Sequence, residues 1–168
     1  MKSPYQDTIQ EVENLKGIEE AIALAIEREK EARSFYLQKA TSMENPKFKE
    51  LYEYLAGEEA KHIGYLEKYR DKKELPAIST NVPSGQSFTP EFDKARIKGG
   101  EITLGDAGII LAAMRHERKS EDFYSELAKR AEDENQRVFF EMLSRYERGH
   151  YEVLDTYLEG ITSFRMQT

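Results

Sequence analysis

Six side chains have the types and spacing of metal ligands: Glu29, Glu59, His62, Glu117, Glu147 and His150. Glu59 and His62 form a Glu-x-x-His pair. Glu147 and His150 form a second pair 88 residues on, at the same offset that separates Glu29 from Glu117. Residues three apart on a helix project from one face, so each pair can offer a carboxylate oxygen and an imidazole nitrogen to one ion. Such donors suit iron or manganese, and donor type alone does not separate these from zinc. Tyr36 and Tyr124 follow Glu29 and Glu117 at seven residues, on the same helical stripe. There a phenol either donates to a carboxylate or simply packs in the core.

The register extends past the ligands. Residues 17–69 laid on 105–157 without a gap share 14 identities, among them Ile22, Ala25, Phe35, Leu55, Leu66 and Tyr69 with their counterparts. This points to a duplicated helical hairpin. Ala, Leu, Glu, Lys and Arg dominate long stretches, charged residues make up 34% and there are five prolines, which favours an all-α protein. Asn14 is expected to cap a first helix running to about Met43, and Asn45-Pro46 turns the chain into a second that ends near Asp71. Thr103 with Asp106 resembles a capping box for the third, and Glu132-Asp133-Glu134-Asn135 leads into the fourth. Residues 72–103, with Pro76, Pro83, Pro90, Gly99 and Gly100, are expected as a long crossover inside one domain spanning 1–168. The tail 159–168 is too short for a fifth helix. The expected fold is an antiparallel four-helix bundle made of two hairpins.

On these helices the inward stripes read Ile18, Ile22, Ala25, Glu29, Ala32, Tyr36; Leu55, Glu59, His62, Leu66, Tyr69; Ile110, Ala113, Glu117, Ser120, Tyr124; and Leu143, Glu147, His150, Leu154, Tyr157. Each helix thus turns a carboxylate into the core. Four unpaired carboxylates in one buried layer would raise one another's pKa and cost several kcal/mol apiece. No Lys or Arg lies on the stripes at that level, and two neutral histidines cannot balance four negative charges. Two divalent cations would. His116 leaves its helix about 100° away from Glu117 and is expected to point elsewhere. Most of the charged run Glu27–Glu31 reads as a solvated face. Glu121, one turn from Glu117, is placed where it could supply another carboxylate.

At these residues the sequence resembles the ferritin-like diiron-carboxylate superfamily, and the segments AIEREKEARSFY and GEEAKHIGYLEKY resemble its rubrerythrin branch. The resemblance implies a ferritin-like bundle holding two iron ions, with one Glu from each of two helices and Glu-x-x-His from each of the others. Carried over by motif position, Glu29 and His62 would be terminal ligands of one iron and Glu117 and His150 of the other. Glu59 and Glu147 would bridge them. The branch is associated with reduction of hydrogen peroxide by electrons from a rubredoxin-like centre. This chain departs from it in lacking the four-cysteine rubredoxin-like domain, and in carrying Ser120 where a seventh carboxylate ligand is common. Related readings are a ferroxidase or iron-binding protein, a manganese-catalase-like enzyme and a non-catalytic metal-binding bundle. Against a bacterioferritin stands Ala60, where the haem-binding methionine would be.

Composition narrows the partners. A net charge of −7 argues against nucleic acid, whose binding rests on a basic patch. With no cysteine there is no disulfide, thiol nucleophile or iron–thiolate centre among the 168 residues. Electrons are therefore expected from a separate redox donor such as a rubredoxin-like protein, and the oxidant is hydrogen peroxide or oxygen. MKSPYQDTIQ lacks the apolar core of a signal peptide and no stretch of ~18 apolar residues occurs, so a cytoplasmic protein with no membrane partner is expected. A homodimer is the expected assembly.

Overall fold

The computed structural model describes residues 3–76 and 104–165. These form five helices: α1 (Pro4–Glu13), α2 (Ile18–Ser42), α3 (Pro46–Lys72), α4 (Leu104–Lys129) and α5 (Glu134–Arg165). No strand occurs among the described residues. The last four are the bundle helices read from the sequence.

The first helix is an addition. Ser3 and Gln6 close a capping box, each side chain accepting from the other's backbone N–H, with Pro4 at the first helical position. Asn14 ends α1 as its C-cap, which corrects its expected role as the cap of the long helix. The polar sequence around it hid a short element whose stability comes from docking on α4. The long helix instead starts after Gly17, whose φ of 151° is a conformation that few side chains tolerate. The Glu20 carboxylate accepts the Lys16 N–H at 2.6 Å.

The other termini follow the sequence signals. Asn45 caps α3 through a 3.0 Å bond from the Lys47 N–H, and α3 closes on Lys73 in the left-handed conformation, its N–H donating to the Tyr69 carbonyl. Asp133 accepts the Gln136 N–H at 2.8 Å at the start of α5. The tail prolongs α5 to Arg165. Thr103 and nearly all of the expected crossover lie outside the described residues.

Short turns make α2 and α3, and α4 and α5, two antiparallel hairpins. The Tyr36 hydroxyl donates to Glu117 and the Tyr124 hydroxyl to Glu29, so the ascending numbers of α2 meet the descending numbers of α4 and these helices are antiparallel too. The 88-residue shift therefore exchanges the two ends of the bundle. One end packs Ile22, Ala25, Leu66, Tyr69, Phe139, Phe140 and Leu143. The other packs their counterparts Ile110, Ala113, Leu154, Tyr157, Leu51, Tyr52 and Leu55. All the inward stripe residues are buried except the half-buried Ile18. The polar layer lies between the two apolar clusters.

Candidate metal centre

Each bundle helix contributes to the layer at mid-length, as the stripes require. Glu29, Glu59, His62, Glu117, Glu147 and His150 are all 3% exposed or less. His62 and His150 stack with ring centroids 5.1 Å apart and planes 12° from parallel. Nδ1 of His62 lies 3.1 Å from Glu147, 3.2 Å from Glu59 and 3.5 Å from Glu29. Nδ1 of His150 lies 3.4 Å from Glu117, 3.5 Å from Glu59 and 3.6 Å from Glu147.

These are close approaches, yet most of the atoms are not in hydrogen-bonding geometry. Both oxygens of Glu59, one each of Glu117 and Glu147, and all four imidazole nitrogens are buried without a hydrogen-bond partner. Leaving one such group unsatisfied costs about 1–3 kcal/mol, and this layer concentrates eight. The atoms gather into two groups with all ligand atoms in each within 4.8 Å: Glu29, Glu59, His62 and Glu147; and Glu59, Glu117, Glu147 and His150. Glu59 and Glu147 belong to both. An oxygen-rich set with one imidazole per group fits a pair of divalent cations with overlapping ligands.

Proton sharing in the layer points the same way. Burial and the like charges of Glu29, Glu59 and Glu117 push Glu147 well above the usual carboxylate range. Burial and the charge of Glu59 raise Glu29 to about 7. Burial also acts against Glu59 and Glu117, joined at Glu59 by the charge of Glu117, but the imidazoles outweigh these effects and hold both at about 2. The imidazoles, disfavoured as cations by burial, are carried well above their ordinary value by the facing carboxylates. Counterpart carboxylates thus shift in opposite directions, Glu29 up against Glu117 down and Glu147 up against Glu59 down. Four carboxylates in one dry layer cannot all ionise unless cations or protons balance them.

The tyrosines have a role that the sequence left open between packing and donation. Tyr36 and Tyr124 are fully buried, and each phenol donates to the glutamate of the other half, not to the one on its own helix. Burial and nearby carboxylates raise both phenols well above 10, so they remain donors. Ser120 is buried at the level of the layer, and Glu121 instead accepts a 2.9 Å bond from Arg118 at the surface. His116 is half-buried in a groove between α2 and α4 and is in neither ligand group.

Residues missed by the stripe reading sit beside His62. Tyr146 lies 5.3 Å from its ring and Tyr65 6.4 Å, on the α3–α5 side of the layer. Their counterparts 88 residues away are Glu58 and Val153, so the duplication could not reveal them. Glu58 is buried but paired with Lys61 at 2.5 Å.

No described helix is long and apolar enough to cross a membrane. No curated protein and no solved structure gives a significant match. A family model described as Rubrerythrin matches residues 20–158, which takes in both hairpins and all six ligand candidates.

Proposed function

The chain belongs to the rubrerythrin family, and on that premise we propose that it is a diiron oxidoreductase that reduces hydrogen peroxide with electrons supplied from outside. Glu29 and His62 would hold one iron and Glu117 and His150 the other, with Glu59 and Glu147 reaching both. Manganese or zinc would also fit the same donors. The observation that carries the reading is the pair of overlapping groups of buried ligand candidates, in a layer where eight side-chain atoms have no hydrogen-bond partner. A bundle that used the layer only for packing would be expected to bury apolar side chains there.

A ferrous pair at this site would supply the two electrons needed to cleave the O–O bond, and two protons complete the conversion of peroxide to two waters. The chain's own residues prepare that site. The apolar clusters above and below keep bulk water from the layer. Tyr36 and Tyr124 fix the rotamers of Glu117 and Glu29 by donating to them, so the two terminal carboxylates are oriented before any ion arrives. Because these 168 residues contain no cysteine, the reducing equivalents would come from a redox centre outside them. The net charge of −7 suits a donor with a basic face, docking faster at low salt.

Stopped-flow mixing of the anaerobic ferrous protein with peroxide and with oxygen tests the reading. Peroxide should oxidise the protein faster than oxygen does and faster than it oxidises free ferrous ion. Oxidation no faster than that of free ferrous ion would sink the proposal. Sustained peroxide loss without any donor would replace it with disproportionation of the manganese-catalase kind.

A further inference from the structure

The two approaches to the layer between α2 and α4 differ, although the duplication makes them counterparts. At the end beneath α1, Leu24 packs onto the core cluster. The Arg28 guanidinium lies 4.3 Å from the centroid of Phe123 and pairs with Glu11 of α1. At the other end the same three positions are Ala112, His116 and Phe35. There Ala112 is exposed and ends at its methyl group, and a cavity of about 300 Å³ opens among Glu31, Ala32, Phe35, Ala112 and His116.

The floor of this groove adjoins the layer. Ala32, 3% exposed, sits on the inward stripe one turn from Glu29 and one turn from Tyr36, whose hydroxyl holds Glu117. Ala32 is the residue of that stripe that lines the groove. The ligand set is uneven in the same sense: α3 and α5 give two ligands each, including both imidazoles, whereas α2 and α4 give one each. The α2–α4 side therefore carries fewer ligand candidates, and the Tyr36 and Tyr124 hydroxyls donate across it to Glu117 and Glu29.

We infer that this groove is the route by which hydrogen peroxide reaches the layer, its width set by Ala32 and Ala112, while Leu24 and Arg28 close the equivalent route at the other end. The identity of the oxidant rests on the peroxidase reading; the one-sided access does not. The volume holds several water-sized molecules, at about 30 Å³ each in the liquid. Glu31 and His116 give its walls hydrogen-bonding groups for a small polar molecule.

The test fills the groove and reads a small anion that binds metal. In the iron-loaded diferric protein, Ala112→Leu with His116→Arg should slow azide association, followed by stopped-flow absorbance, by about tenfold or more. Release should slow in step, leaving the equilibrium affinity and the metal content unchanged. Adding Leu24→Ala and Arg28→His to that variant opens the counterpart groove and should restore the rate. Ala112→Leu alone, at an exposed position, is the fallback if the double variant folds poorly. Azide association at the parental rate in a fully loaded closed variant would overturn the route, as would a lowered affinity with an unchanged rate. If azide slows but the ferrous protein ignores peroxide, the route stands and the peroxidase reading falls. If the closed variant reduces peroxide at the parental rate, the reverse holds.

Discussion

Beneath α1, Tyr124 donates to Glu29 while Phe123 lies under the Arg28 guanidinium; at the opposite end, Tyr36 donates to Glu117 while Phe35 borders an open groove. The inward half of each end repeats the other nearly residue for residue. The outward half does not. Beneath α1, the Tyr5 hydroxyl and Lys129 both donate to the Glu126 carboxylate, at 2.7 and 2.6 Å, fastening α1 to α4. The counterpart of Glu126 is the exposed Gln38. The 88-residue register holds at the inward positions of the layer and lapses at the outward ones. One end is buttressed by α1 and the other carries the groove.

The strongest way to break this comparison is to remove a shared ligand. Glu59→Ala or Glu147→Ala should each lose one or both metals per chain by elemental analysis, because both residues belong to both ligand groups. Retention of both ions by both variants would remove the bridging roles, and with them the equivalence of the halves. His116→Ala should leave metal content unchanged.

Metal loading should also be read by proton release. His62, His150 and Glu147 hold protons well above their ordinary values, and Glu29 titrates at about 7. Ligands bind deprotonated, so loading at pH 7 should release protons into an indicator dye. Affinity should rise with pH and fall in acid, as protons compete for the same atoms. Loading without proton release would mean that the layer is already ionised and balanced by something else.

The packed ends can be compared directly by urea unfolding of the metal-free protein. Ile22→Ala and Ile110→Ala, both fully buried counterparts, should each lose about 2–5 kcal/mol and should match closely. A large gap between them would show that the two cores are not equivalent in packing.

A smaller and deliberately unequal pair is Tyr36→Phe against Tyr124→Phe. Glu117, held at about 2, is ionised at neutral pH, whereas Glu29 at about 7 is partly protonated. Hydrogen bonds to charged groups contribute about 1.5–3 kcal/mol, more than neutral ones, so Tyr36→Phe should be the costlier change at pH 7. Raising the pH ionises Glu29 and should narrow the difference. Equal losses at every pH would deny the split protonation of the layer.

The least costly contrast lies outside the layer. Arg28→Ala removes the contact with Phe123 and the pair with Glu11, for a loss of about 1–2 kcal/mol. His116→Ala, its counterpart in the open groove, should stay within about 0.5 kcal/mol. Thermal unfolding of the two variants side by side reads the difference.

The four long helices, the inward stripes and the gathering of Glu29, Glu59, His62, Glu117, Glu147 and His150 into one layer are legible in the residue spacing alone. These are consequences of helical periodicity: positions three, four and seven apart share a face whatever the helix later packs against. The 88-residue register added that the stripes come in equal pairs. Tertiary structure decided which partner each side chain meets. Tyr36 lies on the stripe of Glu29, yet its hydroxyl reaches Glu117, because α2 and α4 run antiparallel and the seven-residue spacing on one is matched across to the other. Docking on α4 decided that Pro4–Glu13 is a helix, since ten polar-rich residues do not hold that form alone. The open groove likewise depends on a missing side chain at Ala112, and what an alanine leaves uncovered is settled only by what stands opposite it.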